Sequence, residues 1–350
     1  MVTIKDVAKK SGFSVTTVSM VLNDAPLARY IPLRTKDHVK RIAEKLEYRP
    51  NLYARSLRSR RSLTVGVLVP DITDPYCNQI LRGIENSLYK SAYLQILIDI
   101  QNDRDRFKRS VAMLLERRVE GLITLANSML LETDLLEVFA NRNIPMVMIG
   151  RDGKSKTMNS VVIDNEAGTR AGLEHLYHLG HRRIAFVKGP EMLVDSSQRW
   201  QGVKAFAREA GLRLDAKLTV EIKEACSSPE SGYEAAKELV ARRRDFTALM
   251  AFDDMTAFGA IRALNHAGLR TPADCSVMGF DDIAASAFYN PPLTTIRQPM
   301  EMLGSLGVEI LGEAVQKSHA KEPVVCSRRV IKPELVVRES TAPPPPELCG

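Results

Sequence analysis

Four acidic residues are the candidates for ligand binding or catalysis in this chain. Asp71, Asp152, Asp253 and Asp281 each follow shortly after an apolar segment. Ionised carboxylates accept hydrogen bonds from hydroxyl groups, and pairs of carboxylates can also perform general acid–base catalysis. The sequence shows no nucleophile–base motif and no metal-ligand cluster beside these acids. It therefore favours binding of a small polyhydroxylated molecule, and an enzyme acting on that molecule remains the alternative.

The apolar segments predict the scaffold that positions these acids. After residue 62, apolar runs alternate with amphipathic stretches, which is typical of parallel, doubly wound sheets. Two series of runs predict two α/β lobes. The expected strands are Thr64–Val69, Tyr93–Ile98, Gly121–Leu125 and Ile144–Ile149, then Ile184–Val187, Thr247–Phe252 and Ser276–Phe280. Ligands of open α/β sheets bind beyond the carboxyl ends of the strands, where all four acids are expected to lie.

Several other kinds of site lack their usual sequence signals. No G-x-G-x-x-G follows the first strand and no GxxxxGK[ST] occurs, so nucleotide binding is not favoured. His175, His178 and His181 are three residues apart, a spacing that could hold a metal, but histidines at a helix end are commoner. The five cysteines are scattered, which favours reduced thiols over a disulfide or zinc framework. We expect no cofactor and no metal.

The positive charge of the chain is concentrated at its start. Residues 1–62 contain 14 Lys and Arg against five Asp and Glu, whereas the other 288 residues contain 35 against 37. A basic block on a nearly neutral body is typical of a nucleic-acid-binding domain. The start lacks the apolar stretch of a signal peptide, and no apolar run of about 18 residues predicts a membrane span. We therefore expect a cytoplasmic protein without membrane association.

Three short helices are predicted in the basic block. Thr3 and Asp6 form a capping-box pattern, Gly12 ends the first helix, Ser14 caps the second and Thr35 is expected to cap the third. Two helices joined by a tight turn that contains glycine predict a helix-turn-helix unit, whose second helix enters the major groove of DNA. A three-helix module that serves only for packing is the alternative.

The second helix carries the candidate DNA contacts. Val15, Thr16 and Met20 point away from its apolar face and are the expected base-reading residues. Met20 lacks a strong hydrogen-bond donor, so an apolar contact, such as one with a thymine methyl group, is expected there. Phosphate contacts set the register without carrying sequence information. The expected phosphate contacts are Ser14, Thr17, Ser19 and Lys36.

The chain closely resembles the LacI/GalR family of bacterial transcription regulators, and its first residues are most similar to the purine repressor branch. The resemblance runs in matching order over about residues 3–338. The motifs that carry it are residues 3–12 (TIKDVAKKSG), 14–23 (SVTTVSMVLN), 46–57 (LEYRPNLYARSL), 65–71 (VGVLVPD), 118–123 (RVEGLI), 179–185 (LGHRRIA), 279–282 (GFDD) and 292–296 (PLTTI).

The resemblance implies an all-α helix-turn-helix head and a two-lobed core with the periplasmic-binding-protein fold. The expected domains are the head (1–48), a hinge (49–62), the core (63–338) and a disordered tail (339–350). Lobe 1 is expected at about 63–161 and 296–320, and lobe 2 at about 162–292 and 321–338. The chain is expected to cross between the lobes near Val162, near Pro292 to Ile296 and near Ala320. The resemblance also implies a homodimer and leaves a tetramer open.

The hinge is expected to become a helix when two subunits meet on bent operator DNA. The resemblance assigns the apolar wedge of the minor groove to Leu57, with Asn51 and Arg55 beside it. An apolar side chain surrounded by arginines has little protein to bury it, which agrees with a role in unstacking a base step. The segment from Asp24 to Arg34, about three residues longer than in the purine repressor branch, is expected to add DNA backbone contacts.

The core is expected to bind an effector between its lobes. The resemblance assigns effector contacts to Arg199 and Asp281, and places Tyr76 and Asp253 in the cleft. Both Arg199 and Asp281 are expected to lack buried partners in the empty cleft. The complete expected set is Tyr76, Asp71, Asp152, Arg199, Asp253 and Asp281. The family has other residues at the positions of Gly150, Ser227 and Phe252, so a known effector cannot simply be transferred.

These observations together predict a repressor that binds a palindromic operator as a homodimer and responds to a small polar effector, a sugar or sugar derivative. An enzyme acting in the cleft is one alternative. A solute-binding protein of a transporter is another, but it requires a signal peptide and leaves the basic block unexplained.

Overall fold

The computed structural model describes residues 2–48, 61–125, 141–150, 158–191, 193–223, 228–243, 245–323 and 325–346. The chain divides into two compact units, Met1–Leu63 and Thr64–Gly350. The predicted hinge residues Asn51, Arg55 and Leu57 lie outside the described residues, as do Asp152 and Ser227.

The first unit, called the head, contains three α-helices. Helix α1 spans Ile4–Ser11, α2 spans Val15–Leu22 and α3 spans Leu33–Lys45, with a 3₁₀ helix at Pro26–Tyr30 between α2 and α3. The apolar stripes of the α-helices meet in a small core, as their spacing predicts. Its buried members are Val7, Ala8, Val18, Val21, Val39 and Ala43.

The predicted helix boundaries hold for α1 and α2 but not for α3. The Asp6 carboxylate accepts from the Thr3 backbone N–H at 2.8 Å, Gly12 takes a φ of 75°, and the Ser14 hydroxyl accepts from the Thr17 N–H at 3.1 Å. Thr35 is not the cap of α3, because Pro32 precedes the helix and its carbonyl already accepts from the Thr35 N–H at 3.0 Å. The fixed φ of proline thus starts the helix earlier than predicted.

The second unit contains two parallel sheets and a short ribbon. Its strands are β1 Thr64–Val69, β2 Leu94–Asp99, β3 Gly121–Leu125, β4 Met146–Ile149, β5 Asn159–Ile163, β6 Ile184–Lys188, β7 Thr219–Glu221, β8 Ala248–Met250, β9 Ser276–Met278, β10 Thr295–Arg297, β11 Arg328–Ile331 and β12 Glu334–Val336. Its α-helices are α4 Pro75–Lys90, α5 Arg104–Glu116, α6 Asn165–His178, α7 Val194–Ala210, α8 Pro229–Arg242, α9 Asp254–His266 and α10 Met300–Ala320. Short 3₁₀ helices lie at Ala216–Leu218 and Ala284–Ala287.

Lobe 1 is built on a six-stranded sheet in the order β11-β5-β4-β3-β1-β2, and every pairing in it is parallel. Lobe 2 is built on a four-stranded parallel sheet in the order β7-β6-β8-β9. Helices α6 and α7 pack on one face of the lobe 2 sheet, whereas α8 and α9 pack on the other. Strand β10 pairs antiparallel with β12, and isolated parallel bridges connect this ribbon to the segment of β9.

The third crossing between the lobes lies later in the chain than predicted near Ala320. Helix α10 packs on α4 in lobe 1, and the chain then continues into β11, which pairs with β5 in the same lobe. The crossing therefore follows Ile331 and leads into β12. The predicted assignment of residues 321–331 to lobe 2 is therefore wrong for β11, which belongs to the lobe 1 sheet.

The segment after residue 338, predicted to be a disordered tail, is ordered at its start. Ser340 is buried, where its hydroxyl donates to the Val277 carbonyl at 2.6 Å and accepts from the Thr294 N–H at 2.8 Å. The Ala342 carbonyl lies 2.9 Å from the Nε2 atom of His181. The prolines that follow dominate the local composition, so the composition of the segment predicts disorder although its first residues make these contacts. Among the described helices, none combines the length and the apolar character that a membrane span requires.

Candidate functional site

Helix α2 presents the predicted base-reading residues. Val18 and Val21 are fully or almost fully buried in the core of the head, whereas Val15 is 41% exposed and Thr16 is exposed. Met20 is half-buried. The N-terminal end of α2 therefore offers a surface of side chains that the core of the head does not need, as a recognition helix requires.

The residues predicted to contact phosphates are Ser14 at the N-cap of α2, Thr17 and Ser19 within α2, and Lys36 in α3. Ser14 is exposed, and its hydroxyl lies 2.9 Å from that of Thr17, so part of its hydrogen-bonding capacity is used for capping. Thr17, Ser19 and Lys36 are half-buried. Residues 2–48 contain nine Lys and Arg against five Asp and Glu, so the described part of the head is itself basic.

The segment between α2 and α3, together with the first residue of α3, exposes apolar side chains that were not among the predicted DNA contacts. Leu27, Tyr30 and Leu33 are 58%, 71% and 74% exposed. The Arg29 guanidinium lies 4.7 Å from the centre of the Tyr30 ring and donates to its hydroxyl at 2.8 Å. A cation held against an exposed aromatic ring suits contact with the DNA backbone.

In lobe 2, Arg199 and Asp281 come together at the carboxyl ends of the strands. Nη2 of Arg199 lies 3.5 Å from Oδ1 of Asp281, and both side chains are largely buried. Arg199 also donates to Asn165 Oδ1 at 3.0 Å and to the Phe252 carbonyl at 2.5 Å. Its guanidinium lies 3.7 Å from the centre of the Phe280 ring and 4.6 Å from that of Phe252.

The prediction that Arg199 and Asp281 lack buried partners is wrong. They pair with each other, and the Gln298 side chain donates to Asp281 Oδ1 at 2.5 Å. Gln298 lies just beyond β10. It is too far from Asp281 in the sequence to be predicted as a hydrogen-bond partner of that residue. Burial raises the pKa of Asp281 well above its ordinary range; the Arg199 cation lowers it, and the charges of Asp253 and Asp254 add to the increase.

The backbone at Asp281 has an unfavourable conformation. Its φ is +119°, and that of Asp282 is +58°. Such conformations cost on the order of 1–3 kcal/mol for residues other than glycine and persist where the surrounding structure holds them. Here the Asp281 N–H donates to the Ile296 carbonyl at 2.7 Å, so β10 holds the carboxylate in place.

Asp253 and Asp254 have separate roles. Asp253 is buried and caps α9, since its Oδ1 accepts from the Thr256 N–H at 2.8 Å. Asp254, the next residue, is fully buried and accepts from the Ser286 hydroxyl at 2.6 Å and from the Ile283 N–H at 2.9 Å. Burial raises the pKa of Asp254 to about 7, although these hydrogen bonds oppose the increase.

In lobe 1, Asp71, Asp74 and Tyr76 follow the carboxyl end of β1. Asp71 Oδ1 accepts from the Thr73 N–H at 2.7 Å, and Asp74 caps α4 by accepting from the Tyr76 N–H at 2.9 Å. Burial raises the pKa of Asp74 to about 6, and the negative charges of Asp253 and Asp71 raise it further. Lobe 1 carboxylates are therefore close enough to those of lobe 2 to interact with them.

Tyr76, near the start of α4, lies within electrostatic range of Arg199 and Asp281. Burial raises the pKa of its phenol well above 10, and the carboxylates Asp195 and Asp281 contribute to the same increase. The phenol therefore stays neutral and keeps its hydroxyl proton as a hydrogen-bond donor.

A cavity of about 30 Å³ lies between the lobe 2 sheet and helices α6 and α7. Its walls include Thr169, Phe186, Arg199, Trp200, Phe252 and Phe280. Gly189 allows this arrangement, because a Cβ atom at that position would lie 2.4 Å from the Phe252 ring. No sequence motif predicts the cavity, because its lining comes from several distant segments.

The three histidines do not form a metal site. His181 is buried, with Nδ1 2.9 Å from the Thr247 hydroxyl and Nε2 3.1 Å from that of Ser276, while His175 pairs with Thr341. Within the described residues, no group of three or more His, Cys, Asp or Glu side chains is placed to hold a metal ion.

Two sequence families match this chain. The family of bacterial regulatory proteins, lacI family, matches residues 3–51. The family of periplasmic binding proteins and sugar binding domain of LacI family matches residues 62–332. The chain belongs to the LacI family.

Relatives within the LacI family include repressors that match almost the whole chain. The HTH-type transcriptional repressor PurR of Haemophilus influenzae (strain PittEE) is 36% identical over 344 residues, which cover 97% of this chain and 98% of that protein. PurR of Aliivibrio fischeri (strain MJ11) is 34% identical over 344 residues, which cover 97% of this chain and 98% of that protein. This LacI-family chain is thus a PurR-like, DNA-binding transcriptional repressor rather than an enzyme.

Solved structures of LacI-family proteins confirm the fold. The lac repressor dimer bound to operator and the anti-inducer ONPF has a TM-score of 0.84 at 30% identity, covering 97% of this chain and 99% of that one. The regulator CelR in complex with cellobiose has a TM-score of 0.72 at 28% identity, covering 97% of this chain and 100% of that one. A ribose-bound LacI-family regulator from Enterococcus faecium has a TM-score of 0.69 at 30% identity, covering 80% of this chain and 99% of that one.

Proposed function

We propose that this LacI-family repressor binds a palindromic operator as a homodimer and is controlled by a small polar effector, a sugar or sugar derivative, bound between the two core lobes. The observation that carries the proposal is the buried Arg199–Asp281 pair, which lies at the carboxyl ends of the lobe 2 strands and faces Tyr76 of lobe 1. Such a site offers directional hydrogen bonds within a desolvated cleft.

The head supports operator binding. Val15 and Thr16 are exposed at the start of α2, Met20 is half-buried, and the surrounding head is basic. Two heads in a two-fold symmetric dimer would read two inverted half-sites. Leu57 is proposed as the minor-groove wedge of the hinge, with Asn51 and Arg55 beside it. The dimer of the lac repressor on its operator supports this arrangement by similarity.

The cleft supports a ligand that carries hydroxyl groups. Asp281 and Asp71 provide acceptors, and Tyr76 and Arg199 provide donors. The cellobiose and ribose bound by two structural neighbours support a sugar as the effector class. Asp253 and Asp152 remain proposed cleft residues, although the described hydrogen bond of Asp253 caps α9. We place the protein in the cytoplasm, where its operator is, and on the nucleoid when it is bound.

Selection of operator sequences with the purified full-length protein tests the DNA-binding part of the proposal. We expect an inverted repeat whose affinity falls steeply with salt, because phosphate contacts release counterions. Recovery of a single, unrepeated half-site at dimer concentrations would contradict the homodimer.

Calorimetry with a panel of methyl glycosides and nucleobases tests the effector part. We expect a glycoside to bind, and Asp281→Asn to weaken its binding by roughly ten- to a hundredfold, since a hydrogen bond to a charged group contributes about 1.5–3 kcal/mol. Lys237→Gln, at an exposed pair remote from the cleft, is the control and should bind normally. If only a nucleobase binds, the assignment of a sugar as effector is wrong. If Asp281→Asn binds the glycoside as the wild type does, the placement of the site at Asp281 is wrong.

A further inference from the structure

The Asp282 carboxylate is held by two arginines. Nε of Arg297 donates to its Oδ2 atom at 2.7 Å, and Nη2 of Arg338 donates to its Oδ1 atom at 2.6 Å. The Asp282 side chain is only 7% exposed. Because each carboxylate oxygen is bound by a different guanidinium, the carboxylate is fixed in both position and orientation. We call these three residues the clamp.

The two arginines of the clamp belong to the ribbon that connects the lobes. Arg297 is the last residue of β10, which leads into α10 of lobe 1. Arg338 follows β12, through which the chain returns to lobe 2. The Arg338 backbone N–H donates to the Thr294 hydroxyl at 2.9 Å, so this arginine is itself tied to the segment of β10. Both segments of the ribbon therefore hold Asp282.

Arg338 also closes the loop that begins at Asp282. Its Nη1 atom donates to the Leu293 carbonyl at 2.7 Å, while its Nη2 atom holds Asp282. One guanidinium thus connects the two ends of residues 282–293. The Arg338 side chain is largely buried, so little water competes for these hydrogen bonds.

The conformation of Asp281 depends on its neighbour in the clamp. Asp281 and Asp282 have φ values of +119° and +58°, which residues other than glycine rarely adopt. The Asp281 N–H donates to the Ile296 carbonyl at 2.7 Å, and its carbonyl accepts from the Gln298 N–H at 3.2 Å. An unusual backbone conformation persists only where the surrounding structure holds it, so loss of the clamp should let Asp281 relax.

Asp281 and Asp282 differ in what they offer a ligand. Both oxygens of Asp282 are occupied by the arginines, so this residue has no acceptor left for an effector. Oδ1 of Asp281 accepts from the Gln298 side chain, whereas no described residue donates a hydrogen bond to its Oδ2 atom. Asp281 is therefore suited to contact an effector, and Asp282 is suited to hold Asp281 in place.

We infer that Arg297 and Arg338 are positioning residues for effector binding, because they clamp Asp282 and thereby hold the Asp281 carboxylate where the effector contacts it. The inference rests on the proposed effector site and connects that site to the ribbon between the lobes. An effector bound to Asp281 is thus anchored to the ribbon as well as to lobe 2.

Calorimetry of the full-length protein with the tightest-binding glycoside of the panel tests the inference. Arg338→Met should weaken binding by about three- to thirtyfold, in the range of couplings within one hydrogen-bond network. Arg297→Met, at a half-exposed side chain, should weaken binding in the same direction but less. Arg270→Met removes the arginine of another arginine–aspartate pair of lobe 2, just before β9, and is the control that should bind as the wild type does.

A double variant separates positioning from a general loss of structure. If Arg338 acts through Asp281, Arg338→Met should weaken glycoside binding no further in the Asp281→Asn background. A merely structural role of Arg338 would weaken binding equally in both backgrounds.

Crystal structures of the unliganded variants provide a test that needs no effector. In Arg338→Met and Arg297→Met, we expect the Asp281 carboxylate to move relative to Arg199 by more than about 0.5 Å, the tolerance within which binding residues must be held. The Asp254 carboxylate has its own hydrogen-bond donors outside the clamp and should stay in place.

The outcomes separate this inference from the proposed function. The clamp alone is overturned if Asp281 stays in place in both variants, or if Arg338→Met weakens binding equally in both backgrounds. It is also overturned if Arg338→Met binds the glycoside as the wild type does while Asp281→Asn binds it weakly. If no glycoside binds in an Asp281-dependent manner, the proposed sugar effector is wrong, and the crystal structures still decide whether the clamp positions Asp281.

Discussion

Removing the positive charge of Arg199 should destabilise lobe 2 in a pH-dependent manner. Arg199→Met leaves Asp281 buried without its cation and leaves the Asn165 side chain and the Phe252 carbonyl without their donor. Loss of one partner of a buried ion pair destabilises proteins by about 3–5 kcal/mol. Asp281→Asn removes the buried negative charge instead and should be less harmful.

The sign of the pH dependence follows from the raised pKa of Asp281. A carboxyl group whose pKa is higher in the folded than in the unfolded state stabilises the fold when it is protonated, and this stabilisation is lost as the pH rises through the folded pKa. Arg199 lowers that pKa, so its removal raises it further. Arg199→Met should therefore be more destabilising at pH 8 than at pH 5.

Urea unfolding can be followed with the single tryptophan of the chain. Trp200 directly follows Arg199, lines the cavity and contacts the Phe186 ring at 5.6 Å between centres, so its fluorescence reports on this part of lobe 2. The double variant Arg199→Met/Asp281→Asn should be more stable than Arg199→Met at pH 8, with a coupling of about 1–3 kcal/mol. Additive effects, or an Arg199→Met penalty that does not grow with pH, would refute this reasoning.

Three other changes test separate parts of the molecule. Met20→Arg should alter base preference at one symmetric pair of operator positions, and an unchanged selected-site profile would rule out Met20 as a base reader. Leu57→Ala should weaken operator binding and DNA bending, measured by gel retardation of bent probes, without unfolding the head; wild-type bending would make Leu57 an ordinary linker residue. Gly189→Ala should destabilise lobe 2 by about 1–3 kcal/mol in the Trp200 assay, because overpacking displaces the Phe252 ring; unchanged stability would show that the ring moves freely.

Local sequence signals predicted the local structure well. Strands β1 and β3 have the predicted boundaries, and Thr3, Asp6, Gly12 and Ser14 have the predicted capping roles. These features depend on residues within a few positions of each other, where periodicity and side-chain chemistry decide the conformation. The prediction of Thr35 as a cap is wrong because the nearby Pro32 starts the helix three residues earlier.

Features that depend on distant contacts could not be predicted from composition or spacing. Asp254 looks like any acid at a helix start, and its burial depends on Ser286 and Thr295, more than 30 residues away. Gln298 as a partner of Asp281 depends on the position of β10 beside lobe 2. The order of the segment after residue 338 likewise comes from contacts with His181, Ser276 and Thr294, which only the folded lobe brings together.

Reciprocal binding measurements on effector and operator test whether a ligand in the cleft controls operator binding. Operator affinity is measured by fluorescence anisotropy with and without a saturating amount of the tightest-binding glycoside of the panel, and glycoside affinity is measured by calorimetry with and without operator DNA. Linkage requires the two ratios to be equal. We expect a ratio of at least fivefold in either direction, strongly reduced by Asp281→Asn. An operator affinity that stays the same at saturating glycoside would contradict control of the repressor through this cleft.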